Sequence, residues 1–113
     1  MQQIKDFISK NRFPLTDEKE TQAKMEKALT AAGIAFEREV WLSEEDKVDY
    51  MIGGVAVELK LKGSPTAIYR QLERYAKHAR VTAILLVTAR SMTLPAQILG
   101  KPASVASLTR AWL

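Results

Sequence analysis

The chain contains no cysteine and only one histidine, His78. The first absence excludes disulfide scaffolds and thiolate zinc sites, and it fits a reducing compartment, so the expected location is the cytoplasm. The second excludes zinc chemistry built on several imidazoles. A Ser-His-Asp arrangement is disfavoured as well, because His78 follows Lys77 late in a charged segment and no G-x-S-x-G accompanies it. His78 therefore reads as a surface residue. No run approaches the ~18 consecutive apolar residues of a membrane span, and the first residues lack the apolar core of a secretory signal. Internal repeats, low-complexity tracts and linkers are missing too.

At 113 residues and 47% hydrophobic content, the sequence is that of one domain with a single core. The formal charge of +4 suits a polyanionic partner without demanding one.

Ile4, Phe7 and Ile8 predict a short amphipathic helix that stops near Pro14. Asp17 or Thr16 then caps a longer helix, with Glu20 completing a capping-box pattern and Gly33 just past the end. Ile34 to Leu42 reads as a strand, and Ser43-Glu44-Glu45-Asp46 as an acidic turn. Ser64-Pro65 opens a helix running to about Ala79, with serine as cap and proline in the first turn. Val81 to Val87 is a continuous apolar run, typical of a strand buried on both faces. From Ser104 to Trp112 the spacing is helix-like.

The densest information lies in Val48 to Lys60. Two short strands flank Gly53-Gly54, a pair that favours a tight hairpin turn. In the second strand Val55, Val57, Leu59 and Leu61 point one way, while Ala56, Glu58, Lys60 and Lys62 point the other. The charged side is expected to lie at the surface. The turn folds Asp49 back towards Glu58, so two carboxylates converge beside a lysine. That is a divalent-metal site with a cation next to it, as phosphodiester hydrolysis needs.

The expected order is α-α-β-β-β-α-β with a helical tail. It gives an antiparallel meander, a right-handed helical crossover and a mixed α/β sheet with helices on its faces. This order resembles the PD-(D/E)xK nuclease superfamily, in its branch with an added Q-x-x-x-Y motif. Asp49 matches the first acid, with Val48 where the motif name has proline. Glu58-Leu59-Lys60 matches E-x-K, and Gln71-Leu72-Glu73-Arg74-Tyr75 matches Q-x-x-x-Y on the following helix. The resemblance spans about residues 17–90, leaving 91–113 as a tail, and looks closest to small phage-type, VRR-NUC-like and Holliday-junction-resolvase-like members. It implies a restriction-endonuclease-like core, Mg2+ or Mn2+ on Asp49, Glu58 and the Leu59 carbonyl, and Lys60 acting on the attacking water or the oxyanion. Gln71 and Tyr75 would support Lys60 and the scissile phosphate. The family's acid on the preceding helix has three candidates here. At about 100° per residue, Glu18 aligns with Gln22, Met25 and Leu29 on the sheet-facing side, Glu20 lies opposite and Glu26 on the flank, so Glu18 is expected.

The implied activity is a metal-dependent DNA endonuclease, with structure selectivity as one option. A catalytically silent nucleic-acid-binding or assembly subunit and an RNA nuclease are the alternatives. Lys62, Arg70, Arg74 and Lys77 are the candidates for gripping phosphate, the helical ones alternatively a solvated face. Arg38 with Glu39 reads as a local ion pair, and Trp41 and Trp112 as core or oligomer contacts. The apolar tail (Leu94, Ile98, Leu99, Val105, Leu108, Trp112, Leu113) must pack on the domain or on another copy, and with the resemblance it points to a homodimer.

Overall fold

The structure, a computed structural model, describes residues 1–110. Helix α1 (Gln2–Lys10) buries Ile8 and is followed by the two-residue strand β1 (Arg12–Phe13). Helix α2 (Glu18–Ala31) begins where the sequence places its cap: Asp17 accepts from the Lys19 N–H at 3.1 Å. Thr21 anchors its first turn through hydroxyl bonds to the carbonyls of Pro14 and Asp17. The helix presents Thr21, Met25 and Leu29 to the sheet, four residues apart as one helix face requires.

Strands β2 (Glu37–Trp41), β3 (Lys47–Ile52) and β4 (Val55–Lys60) form the expected antiparallel meander. β2 is shorter than the stretch from Ile34 to Leu42. Helix α3 (Pro65–Ala76) then crosses to β5 (Ala83–Thr88), which pairs with β4 in parallel. Ser64 caps α3 by accepting from the Ala67 N–H at 3.1 Å. The helix ends at Ala76 rather than Ala79, because Lys77 and His78 close it with bonds to the Arg74 and Tyr75 carbonyls.

As far as Arg110 the tail is extended, not helical. After β6 (Gln97–Ile98), β7 (Lys101–Ser107) joins β5 in parallel, and β8 (Thr109–Arg110) pairs with β1. The main sheet has the order β2-β3-β4-β5-β7-β6. The helix-like spacing was misleading because β7 turns small residues towards both layers, with only Ala103 and Ala106 fully buried. Ala106 and Leu108 join the cluster under α1 and α2, whereas Ala103 and Val105 pack in the cluster under α3. Alanine and serine on both faces leave no alternation of polar and apolar to read. Ile98 and Leu108 are thus buried within their own chain, while Leu99 remains exposed. Trp112 and Leu113 lie outside the described residues.

Two apolar clusters sandwich the sheet. Tyr50, Val57, Leu59, Leu85 and Val87 face α1 and α2. Met51, Ala56, Ile84 and Leu86 face α3 through Ile68, Leu72 and Tyr75. The expected exposed side of β4 is therefore covered, since both faces of its first five residues are buried. No helix among the described residues is long and apolar enough to cross a membrane.

The Gly53-Gly54 turn needs each glycine for a different reason. Gly53 has φ 59°, the left-handed region at the first position of the turn. At Gly54 a Cβ would run into the side chain of Thr82, whose N–H donates to the Gly54 carbonyl at 2.8 Å. Gly53→Ala is expected to cost about 1 kcal/mol through strain, and Gly54→Ala about 1–3 kcal/mol through overpacking. Urea denaturation checks both: a midpoint unchanged in Gly54→Ala would mean that the loop carrying Thr82 yields freely.

Candidate active site

β3 and β4 part company at Asp49. Their ladder pairs Ile52 with Val55, Met51 with Ala56 and Tyr50 with Val57, and then stops while β4 continues to Lys60. Val48 and Met51, three residues apart, both pack under α3, so the two-residue alternation slips between them. Across from this slip Glu39 adopts φ 51° in β2, between the pairs Arg38–Tyr50 and Val40–Val48. A non-glycine residue there stores about 1 kcal/mol of strain.

Where the ladder fails, carboxylates take over its hydrogen bonds. The Leu59 N–H donates to Asp49 Oδ2 at 2.8 Å, and the Asp49 N–H donates to Glu58 Oε1 at 3.2 Å. Lys60 Nζ stands 3.3 Å from Glu58 Oε2. Tyr75, from α3, lies 3.2 Å from Glu58 Oε1 and 2.8 Å from the Lys47 carbonyl. Its single hydroxyl proton cannot serve both acceptors fully. With Glu58 protonated, Tyr75 donates to Lys47 and accepts from Glu58; with Glu58 ionised, the two acceptors compete. Glu18 completes the cluster from the first turn of α2, accepting from the Leu61 N–H at 3.3 Å. A cavity of about 230 Å3 opens beside it, lined by Leu15, Thr16, Asp17, Glu18, Leu61 and Lys62. Its lining takes in none of Asp49, Glu58 and Lys60, and a larger hollow of about 410 Å3 lies against Glu26 and Glu39.

The electrostatics follow from burial. Glu58 is only 3% exposed, and loss of water together with the Asp49 charge raises its pKa to about 7, against the pull of Lys60. Asp49 is pushed up too, mainly by burial and further by Glu18, while the Leu59 N–H, Lys60 and Lys47 oppose the shift. Burial and mutual repulsion thus oppose ionising both carboxylates at once, the kind of perturbed pair that clusters at functional sites.

The sequence-predicted residues divide into three groups. Asp49, Glu58, Lys60, Tyr75 and Glu18 come together, and the Leu59 main chain lies among them. Gln71 is half-buried on α3 and makes no side-chain hydrogen bond among the described residues. Lys62, Arg70 and Lys77 are exposed. Arg74 is engaged elsewhere, with Nε 2.9 Å from Asp46 Oδ1. His78 is not a bare surface residue: its Nε2 lies 3.0 Å from Asp46 Oδ2. Arg38 does approach Glu39, at 3.9 Å, but its closer partner is Glu26 at 3.3 Å. Glu26 also takes the Tyr50 hydroxyl at 3.1 Å, so it braces the core rather than the site. Trp41 is not core: it is 62% exposed, with Lys47 Nζ 5.5 Å from its ring centroid.

Sequence reasoning missed three contributors. Lys47 provides a carbonyl for Tyr75 and a charge for Asp49. Asp46 read only as the last residue of an acidic turn. Thr88, buried at the end of β5, donates its hydroxyl to the Lys60 carbonyl and so fixes the backbone that carries the lysine. Only Thr88 had a readable signal, as the polar residue closing an apolar strand.

Comparison with family models, with curated proteins and with solved structures finds no match.

Proposed function

We propose that the chain is a divalent-metal-dependent phosphodiesterase acting on DNA, built on a restriction-endonuclease-like core. The observation that carries this reading is the Asp49–Glu58–Lys60 cluster. Two carboxylates replace ladder partners where β3 and β4 separate, with a lysine ammonium 3.3 Å from one of them.

The donor set suits Mg2+ or Mn2+. These ions take oxygen ligands and keep several waters, binding through one or two carboxylates and substrate phosphate rather than a full protein cage. Among the described residues no three His, Asp or Glu side chains form such a cage. Asp49, Glu58 and the Leu59 carbonyl would hold the ion. When bound, it supplies a water acidified towards neutral pH and a counter-charge for the phosphate.

The protein's own part is positioning and charge. Glu58 must ionise, which burial opposes and Lys60 favours. Lys60 is held at the backbone by Thr88 and at the ammonium by Glu58, so it is oriented before substrate arrives. Its charge would stabilise an oxyanion, and a group preorganised this way contributes without further reorganisation. Glu18 would orient an outer water. Lys62 beside the Glu18 cavity, Arg70 on α3 and Lys77 at its C-terminal cap would grip the backbone. Pairing of two copies belongs to the proposal on the resemblance alone, because Ile98 and Leu108 of the tail are satisfied within the chain.

The test is incubation with duplex, branched and single-stranded DNA, and with RNA, in Mg2+, Mn2+ or chelator. Metal-dependent cleavage of DNA is expected. Cleavage of RNA alone would reassign the substrate, and binding without cleavage in any metal would favour a silent subunit. Arg70→Ala and Lys62→Ala are each expected to lower the salt slope of DNA binding by about one unit. Titrations at several salt concentrations measure this, and unchanged slopes would remove both residues from the interface.

A further inference from the structure

The acidic turn between β2 and β3 ends in a carboxylate that is not solvated: Asp46 is 7% exposed. Ser43 Oγ accepts from the N–H groups of Glu45 and Asp46, and the Leu42 N–H donates to the Asp46 carbonyl at 2.7 Å. The tightly wound turn delivers the carboxylate to α3. There Arg74 Nε meets Oδ1 at 2.9 Å and His78 Nε2 meets Oδ2 at 3.0 Å. Arg74 lies in the last turn of α3 and His78 two residues past its end, in the turn that closes the helix. Tyr75 lies between them in sequence, and its hydroxyl reaches the carbonyl of Lys47, the neighbour of Asp46.

We propose that Asp46 is a positioning residue. By fastening Arg74 and His78 to the β2–β3 turn, it holds the Lys47 carbonyl and the Tyr75 hydroxyl in register against Glu58. The kinetic consequence rests on the phosphodiesterase reading; the geometry does not.

The physical argument is one of registry. Asp46 is covered but the Arg74 side chain is 48% exposed, so solvent screens the attraction and the pair gives little net stability; what its two bonds supply is a fixed arrangement. Charge-assisted bonds to both carboxylate oxygens restrict the pair in distance and in rotation. The Tyr75 hydroxyl has one proton between acceptors at 2.8 and 3.2 Å. A small slide of α3 past the turn would detach it from one or the other. The same contact commits the Arg74 Nε to Asp46, which makes Arg74 a part of the clamp rather than a phosphate grip.

The deciding measurement is the Tyr75 hydroxyl proton, observed by NMR without metal or nucleic acid and assigned by its loss in Tyr75→Phe. A slowly exchanging signal is expected in the wild type. It should vanish in Asp46→Asn and in Arg74→Met and return in Arg74→Lys, while Tm falls by only a few degrees. Should Asp46→Asn fail to fold, the Arg74 pair decides by the same signal. In cleavage, Asp46→Asn should lower kcat about 10- to 100-fold with KM little changed. Asp46→Asn combined with Tyr75→Phe should be no slower than Tyr75→Phe alone. Arg74→Met should leave the salt slope of DNA binding intact. Retention of the hydroxyl signal in Asp46→Asn, or multiplying losses in kcat, overturns the proposal. If no metal supports cleavage, the phosphodiesterase reading fails by itself and the hydroxyl signal still decides the positioning role.

Discussion

Glu58→Gln is expected to be inactive and yet more stable than the parent protein at pH 8. Both results come from one buried carboxylate. Its pKa rises from an ordinary 4.5 to about 7 in the folded chain. A raised pKa means that the folded state binds the proton more tightly than the unfolded state. The resulting stability is fully present below pH 4.5 and is lost as pH rises through about 7. Above pH 7 the folded protein must hold the charge that burial disfavours, a cost on the order of 3 kcal/mol. Glutamine removes that charge and keeps the shape. The gain should therefore appear at pH 8 and disappear at pH 4, as urea midpoints at the two pH values would reveal. Cleavage should fall by at least about a thousandfold, since the substitution removes the proposed metal ligand and the partner of Lys60 together. Asp49→Asn should behave similarly, with a smaller stability gain. A Glu58→Gln protein that cleaves normally would remove this cluster from the chemistry.

Lys60→Met should lower kcat by about a hundredfold or more while DNA affinity in chelator changes little. A cation aimed at charge that develops during reaction contributes to the transition state more than to binding. Losing it also leaves Glu58 without the ammonium that favours its ionised form, so the pH at which activity appears should rise. Paired measurements of cleavage rate and of binding across pH 6 to 9 test this. If affinity and rate fall together, Lys60 serves to grip the backbone and the division of labour given above is wrong.

Much of this arrangement is legible in the sequence. Asp17, Gly33 and Ser64-Pro65 punctuate their helices as side-chain caps and backbone preferences require. The apolar run after α3 is the parallel strand it was expected to be. Asp49 meets Glu58 because a two-residue glycine turn fixes the register of its hairpin. What could not be read depends on contacts remote in sequence. Glu58 looked exposed because strand alternation distinguishes two faces but says nothing of what covers each; α3 covers its side. The slip at Asp49 is a tertiary event, set where the hairpin bends with Glu39 at φ 51°. Asp46 was hidden among acidic neighbours, and its partners lie 28 and 32 residues away. β7 escaped notice because Ala103, Ser104 and Ala106 suit a crowded sheet yet carry no pattern of polarity.

The central claim is that Asp49, Glu58 and the Leu59 main chain form one cation site. Mn2+ added to the isotope-labelled protein tests it most directly, since a paramagnetic ion broadens only the NMR signals near it. The account predicts loss of the Asp49, Glu58, Leu59 and Lys60 amide signals first, at Mn2+ well below the protein concentration, with reversal by excess Mg2+ and absence of the effect in Asp49→Asn. Broadening centred on the exposed Glu44 and Glu45, or equal in wild type and Asp49→Asn, would contradict it.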